Sequence, residues 1–204
     1  MPEYAFFINS SVCSGCKTCQ IACKDKNELS KGINWRRVYE IEGGNWKEEN
    51  GVFTSLPFSY FISLSCQNCA NPECVKACPT TAMHVNANGI VVIDHELCIG
   101  CKYCAWACPY GAPRYDPLKK VMTKCNLCED YITKGLKPSC VASCPMRALD
   151  FGTYNEITAK YGSGENVFPL PDPGTCEPRI VIKPHKDYLK PCKEHAYVTE
   201  NEYN

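Results

Sequence analysis

An α+β chain built from two nested ferredoxin-like units, with short helices, small antiparallel hairpins and an extended C-terminal tail, is the architecture this sequence predicts, on three observations. Eighteen of the 204 residues are cysteine, and sixteen of those fall into four separated groups of four. The stretches between the groups read as short strands and turns. Leucine, isoleucine and tryptophan are too sparse for a generously packed interior, so something other than apolar burial must help hold the chain together.

The groups come first in the argument. They are Cys13, Cys16, Cys19 and Cys23; Cys66, Cys69, Cys74 and Cys78; Cys98, Cys101, Cys104 and Cys108; and Cys125, Cys128, Cys140 and Cys144, the last with 11 residues between its second and third members. Proline follows the final cysteine in three of them, at Pro79, Pro109 and Pro145. This is the bacterial ferredoxin run, in which three closely spaced thiolates wrap one 4Fe-4S cube and the fourth, before proline, reaches the neighbouring cube. Close spacing lets a loop fold round the cube with its N–H groups turned inward. Proline removes a donor and fixes φ, so the chain leaves along one path. Structural zinc has no need of a third cysteine two residues on, nor of Cys-Pro. A disulfide scaffold suits a small secreted chain, and no basic region followed by an apolar run opens this sequence.

Because the fourth cysteine of each run serves the other cluster, four groups make two pairs. Between the second and third groups lies a predicted hairpin, Ala82 to Val85, a turn at Asn86 to Gly89, and Ile90 to Asp94. That makes a ferredoxin-sized inserted unit over residues 58–116, with Cys66, Cys69, Cys74 and Cys108 on one cluster and Cys78, Cys98, Cys101 and Cys104 on its partner. The outer unit, residues 1–57 and 117–152, then pairs Cys13, Cys16, Cys19 and Cys144, and Cys23, Cys125, Cys128 and Cys140. Strands expected at Tyr4 to Ile8 and Ala148 to Gly152 flank it. Cys23 departs from the pattern, being followed by Lys24 instead of proline.

Residues 29–57 read as a polar, aromatic and glycine-bearing excursion, with Trp35, Trp46 and Gly43-Gly44. Residues 153–204 read as an extended, partner-binding tail with one strand at Arg179 to Lys183.

Four cubanes in so small a chain lie close together, and closely spaced one-electron centres pass electrons. Function is therefore expected to be electron transfer without catalytic residues. With 22 basic and 22 acidic residues, no global field draws the chain to nucleic acid. The apolar windows at Phe53 to Leu64 and Ile90 to Ile93 end well short of the ~20 residues a spanning helix needs, so no direct membrane span is expected. No nucleotide fingerprint follows a strand; Gly162-Ser163-Gly164 sits in a polar loop. His84, His95, His185 and His195 are scattered without ligand spacing. Lys17, Lys102, Tyr103 and Trp106 stand beside ligands, where charge or water exclusion raises a potential. Cys176 and Cys192, outside the groups, are expected as thiols buried against a partner. Two readings of the wire stand side by side: an obligate subunit, or a free multi-cluster ferredoxin shuttling between soluble oxidoreductases.

The segments around the cysteines favour the first. Phe6-Phe7-Ile8, Cys13-Ser14-Gly15-Cys16-Lys17-Thr18-Cys19, Arg36-Arg37-Val38-Tyr39, Cys98-Ile99-Gly100-Cys101, Ala107-Cys108-Pro109-Tyr110-Gly111-Ala112-Pro113, Met122-Thr123-Lys124-Cys125 and Arg147-Ala148-Leu149-Asp150-Phe151-Gly152 resemble the iron-sulfur (β) subunits of molybdopterin-dependent respiratory reductases of the dimethyl sulfoxide reductase type. The resemblance covers nearly the whole chain. It implies a complex with a molybdopterin catalytic subunit and a quinol-oxidising membrane anchor, held at the membrane through these partners, on the cytoplasmic face or exported with the catalytic subunit. It further implies that the cluster of Cys78, Cys98, Cys101 and Cys104 lies nearest the membrane and that of Cys13, Cys16, Cys19 and Cys144 nearest the catalytic subunit; the tail, polar and with little core of its own, is expected to wrap that subunit. In related nitrate reductases the position of Cys101 is not cysteine and the cluster has three irons; cysteine here implies four.

Overall fold

A computed structural model describes residues 2–188, apart from 165, 166, 168, 169, 173 and 175, and the backbone of 197–199. It is a mixed α+β structure of short helices and mostly antiparallel strand pairs.

The first strand, β1 (Tyr4–Asn9), is the middle of a three-stranded sheet. β8 (Leu149–Thr153) pairs with it antiparallel and β9 (Ile180–Lys183) parallel. Its run Ala5-Phe6-Phe7-Ile8 is buried throughout, as a strand covered on both faces requires. Phe6 and Ile8 enter the main core, while Ala5 and Phe7 meet Ile157 of the helix α6 (Tyr154–Tyr161) on the other face. Thr153 and Glu156 cap α6 reciprocally, each side chain accepting from the other residue's backbone N–H.

Residues beyond Gly152 were expected to be extended. Their described part instead packs on the chain's own first strand, because Ile157, Val181 and Ile182 supply the apolar cover that β1 needs.

Asp150 ties α6 down. Burial would raise its carboxyl, but donation from Lys137, Lys160, Tyr161 and the Phe151 N–H holds it far below the usual carboxylate range. A depressed folded pKa stabilises fully above the ordinary value of 3.8 and is lost as pH falls through the folded one. At neutral pH, where Asp150 is ionised, hydrogen exchange of α6 amides is expected to be faster in Asp150→Asn than in the wild type, since the neutral amide loses the charge that holds Lys137 and Lys160.

The largest departure from expectation lies at residues 37–64. β2 (Arg37–Glu49) and β3 (Val52–Leu64) form a hairpin with 13 residues in each strand, closed at Asn50-Gly51, where φ is +54° and +79°. Asn-Gly is the preferred pair for a turn with both central residues at positive φ. The hairpin's base is buried through Val38, Ile41, Phe58, Tyr60, Ile62 and Leu64, and its tip is exposed. The backbone of β10 (Tyr197–Thr199) adds to the β2 edge.

The expected hairpin between the second and third cysteine groups is present as β4 (Met83–Val85) and β5 (Val91–Ile93). A matching one, β6 (Arg114–Asp116) and β7 (Val121–Thr123), follows the third group. The short helices are α1 (Thr18–Lys26), α2 (Glu73–Lys76), α3 (Tyr103–Ala107), α4 (Glu129–Ile132) and α5 (Ser139–Ala142). Each begins within or beside a cysteine group. Among the described residues, no helix is long and apolar enough to cross a membrane.

Candidate functional site

The cysteine loops turn through left-handed backbone at matching places. Gly15 and Lys17 bracket Cys16 at φ +69° and +59°, and Gly100 and Lys102 bracket Cys101 at +67° and +68°. Lys17 and Lys102 are the residues that start α1 and α3, so their position beside a ligand is first a backbone requirement. The ammonium of Lys102 lies over the Tyr115 ring at 4.4 Å.

Backbone donors elsewhere in the chain also aim at sulfur. The N–H groups of Met83, Ala112, Met122 and Leu127 point to the sulfurs of Cys78, Cys108, Cys98 and Cys125 at 3.4, 3.5, 3.4 and 3.4 Å. Thr18 Oγ1 donates to Cys16 Sγ at 3.4 Å.

The thiols gather in four places. Cys13, Cys16, Cys19 and Cys144 line one cavity, with Pro145 and Val38. Cys78, Cys98, Cys101 and Cys104 line another, with Met83 and Met122. Cys23 lies among Cys125, Cys128 and Cys140, and Cys69 among Cys66, Cys74 and Cys108. In every case the last cysteine of a run stands with the first three of another.

The four places follow one another. Cys19 of the first neighbours Cys140 of the second; Cys125 of the second neighbours Cys66 of the third; Cys74 of the third neighbours Cys104 of the fourth.

Burial and mutual repulsion push most of these thiols up. Burial is the larger cause at Cys125 and Cys104, both raised to about 11, and at Cys74, raised to about 12. Cys23 and Cys69 are raised further for the same reasons. Cys16, exposed and bonded by Thr18, is lowered.

Such a site fits a bulky cationic group. Thiolates are the ligating form, and only positive charge among them offsets burial and repulsion. Among the described residues no three Cys, His, Asp or Glu side chains close on a point as one metal ion requires. Four sulfurs gathered from two runs are the donor set that a 4Fe-4S cube takes.

Two buried cations lie between the groups, and sequence reasoning gave neither a role. Arg36 is 1% exposed, and Lys124 is 4% exposed with its ammonium donating to the carbonyls of Val91 and Cys125.

Of the extra thiols, Cys176 is buried within the chain itself, 3.7 Å from the Tyr110 hydroxyl and beside Cys69, where a partner subunit had been expected to cover it. Cys192 and His195 lie outside the described residues. His185 stacks on Tyr60, and His84 Nδ1 meets the Ala82 carbonyl at 3.1 Å.

Comparison with known proteins agrees. The family described as "4Fe-4S dicluster domain" matches residues 57–154. The protein is 51% identical over 183 residues to the B subunit of the anaerobic dimethyl sulfoxide reductase of Escherichia coli (strain K12), covering 90% of this sequence and 89% of that one. The corresponding subunit from Haemophilus influenzae is 48% identical over 91% of both sequences. The B subunit of the polysulfide reductase of Wolinella succinogenes is 36% identical over 90% of this sequence and 95% of its own. With half its residues shared across nine-tenths of its length, the protein belongs to the iron-sulfur subunits of the molybdopterin-dependent respiratory reductases.

Proposed function

We propose that the sixteen grouped cysteines hold four 4Fe-4S clusters in crossed sets: Cys13, Cys16, Cys19 and Cys144; Cys23, Cys125, Cys128 and Cys140; Cys66, Cys69, Cys74 and Cys108; Cys78, Cys98, Cys101 and Cys104. The observation that carries this reading is the gathering of Cys144 with Cys13, Cys16 and Cys19 round one cavity while Cys23, from the first run, sits with Cys125, Cys128 and Cys140. A bound cluster supplies a site that takes up and releases one electron. The chain's residues do the rest: thiolates ligate, backbone N–H groups stabilise charge on the sulfurs, and burial of Cys125, Cys128 and Cys140 keeps water out.

The chain is an electron-transfer subunit, passing electrons between a quinol-oxidising membrane anchor and a molybdopterin catalytic subunit. It performs no substrate chemistry and is held at the membrane by those partners. The Cys78 set faces the anchor, a reading supported by Ile99, Tyr103 and Trp106, which stand exposed around it. The Cys13 set faces the catalytic subunit, supported by the exposure of Cys16, Val12 and Met146. The division into an outer unit of 1–57 and 117–152 and an inserted unit of 58–116 follows from the same crossed sets. Residues 153–204 serve both as cover for β1 and as partner-binding surface.

Chemical analysis tests this. The anaerobically purified complex is expected to hold about 16 irons and as many acid-labile sulfides on this chain, and to give a broad, interacting EPR signal when reduced with dithionite. A count near half that, or zinc without a signal, overturns the reading.

A further inference from the structure

Arg36 is a charge in a place where charges are costly. Its guanidinium lies over the Phe6 ring at 4.5 Å. One Nη donates to the Ser63 carbonyl at 3.1 Å and to Ser63 Oγ at 3.2 Å, and the other to Ser65 Oγ at 2.8 Å. Its Nε has no hydrogen-bond partner. Among the described residues, no carboxylate stands within ion-pair distance of it. Removing an ion from water without a counter-charge costs several kcal/mol, and three neutral oxygens do not offset that.

Sulfur is the counter-charge. Ser63 Oγ lies 3.3 Å from Cys19 Sγ, so its hydroxyl can donate to that sulfur while accepting from Arg36. Cys140, itself buried, feels the guanidinium directly, and Cys23 and Cys125 feel it as well. These four cysteines belong to two neighbouring sets, the one completed by Cys144 and the one completed by Cys23.

We propose that Arg36 is a shared buried counter-charge that holds up the reduction potentials of two adjacent clusters, those of Cys13, Cys16, Cys19 and Cys144 and of Cys23, Cys125, Cys128 and Cys140. The inference rests on the crossed ligand sets of the preceding section. Its step is the uptake of one electron, in which no bond forms or breaks and one unit of negative charge is added. A positive charge a few ångströms away in a medium of low dielectric favours the state with that added charge. Arginine suits the place because its planar fork serves Ser63 and Ser65 together. The role is one of positioning charge, and the sulfurs that meet it most strongly are those of Cys140, Cys19, Cys125 and Cys23.

Redox-poised EPR on the anaerobic complex tests this with Arg36→Gln and Arg36→Lys. In Arg36→Gln, two of the four one-electron steps are expected to become at least about tenfold less favourable, a fall of about 59 mV, while the other two stay. Arg36→Lys is expected to restore both, since it returns the charge without the planar fork. No shift, a shift of all four steps, or Lys behaving as Gln overturns the proposal. Should Arg36→Gln not assemble, Arg36→Lys alone decides: full iron with wild-type potentials supports it, and failure to assemble overturns it. A wild-type complex short of about 16 irons on this chain would fault the ligand sets, whereas full iron with unmoved potentials faults only Arg36.

Discussion

Cys144→Ala is expected to cost the protein one cluster in four, and the lost one is that of Cys13, Cys16 and Cys19. Iron on this chain should fall from about 16 to about 12 per complex. Alanine is the right replacement because it offers no oxygen to substitute for sulfur. Double variants reveal which thiols share a cluster. Residues that act on one unit are non-additive, and those on separate units add. Cys13→Ala with Cys144→Ala should therefore lose no more than either alone, leaving about 12 irons, whereas Cys125→Ala with Cys144→Ala should leave about 8. If each run served its own cluster the two results would be exchanged. The prediction rests on Cys144 lining the cavity of Cys13, Cys16 and Cys19, to which α5 and the turn before β8 deliver it.

The second large effect is steric. Gly100 has φ +67°, and a Cβ there would stand 2.6 Å from the Lys120 carbonyl oxygen, with the Tyr115 ring at 3.1 Å. Left-handed backbone costs an L-residue about 1–2 kcal/mol, and forcing a backbone carbonyl aside adds about 1–3 kcal/mol. Gly100→Ala should thus destabilise the third cysteine loop by roughly 2–5 kcal/mol, these being the two contributions together. The cluster of Cys78, Cys98, Cys101 and Cys104 should be lost on purification. Gly111→Ala is the control: φ is +55° but nothing lies within 4 Å of the new Cβ. It bears the backbone strain alone and should retain full iron. Equal iron in both variants would show that the approach to Lys120 carries no weight.

The thiol groups were legible because their signal is local. Spacing and Cys-Pro are properties of a few adjacent residues, and the hairpin at β4 and β5 follows from alternation across a short turn. The long hairpin was not read because Glu40 to Glu49 is rich in charge and glycine, which obscures a strand whose outer half faces solvent. Asn50-Gly51 was the available clue. Thr153 and Glu156 likewise announce α6 as a capping box, hidden within a stretch that composition marked as a tail. Arg36 was beyond reach. Arginine is usually exposed, and its burial depends on Phe6, Ser63 and Ser65, which only the folded chain brings to it.

The pairing of β1 has a consequence for how the protein is made. β1 leaves the ribosome well before both of its neighbours, β8 and β9, and Cys13 must wait for Cys144. The stretch from Cys66 to Cys108 is complete long before. Until the later segments emerge, Cys13 and an apolar strand with two bare edges stay open to oxidation and to stray β-pairing. A nascent chain of this design needs shelter for β1 until β8 and β9 arrive.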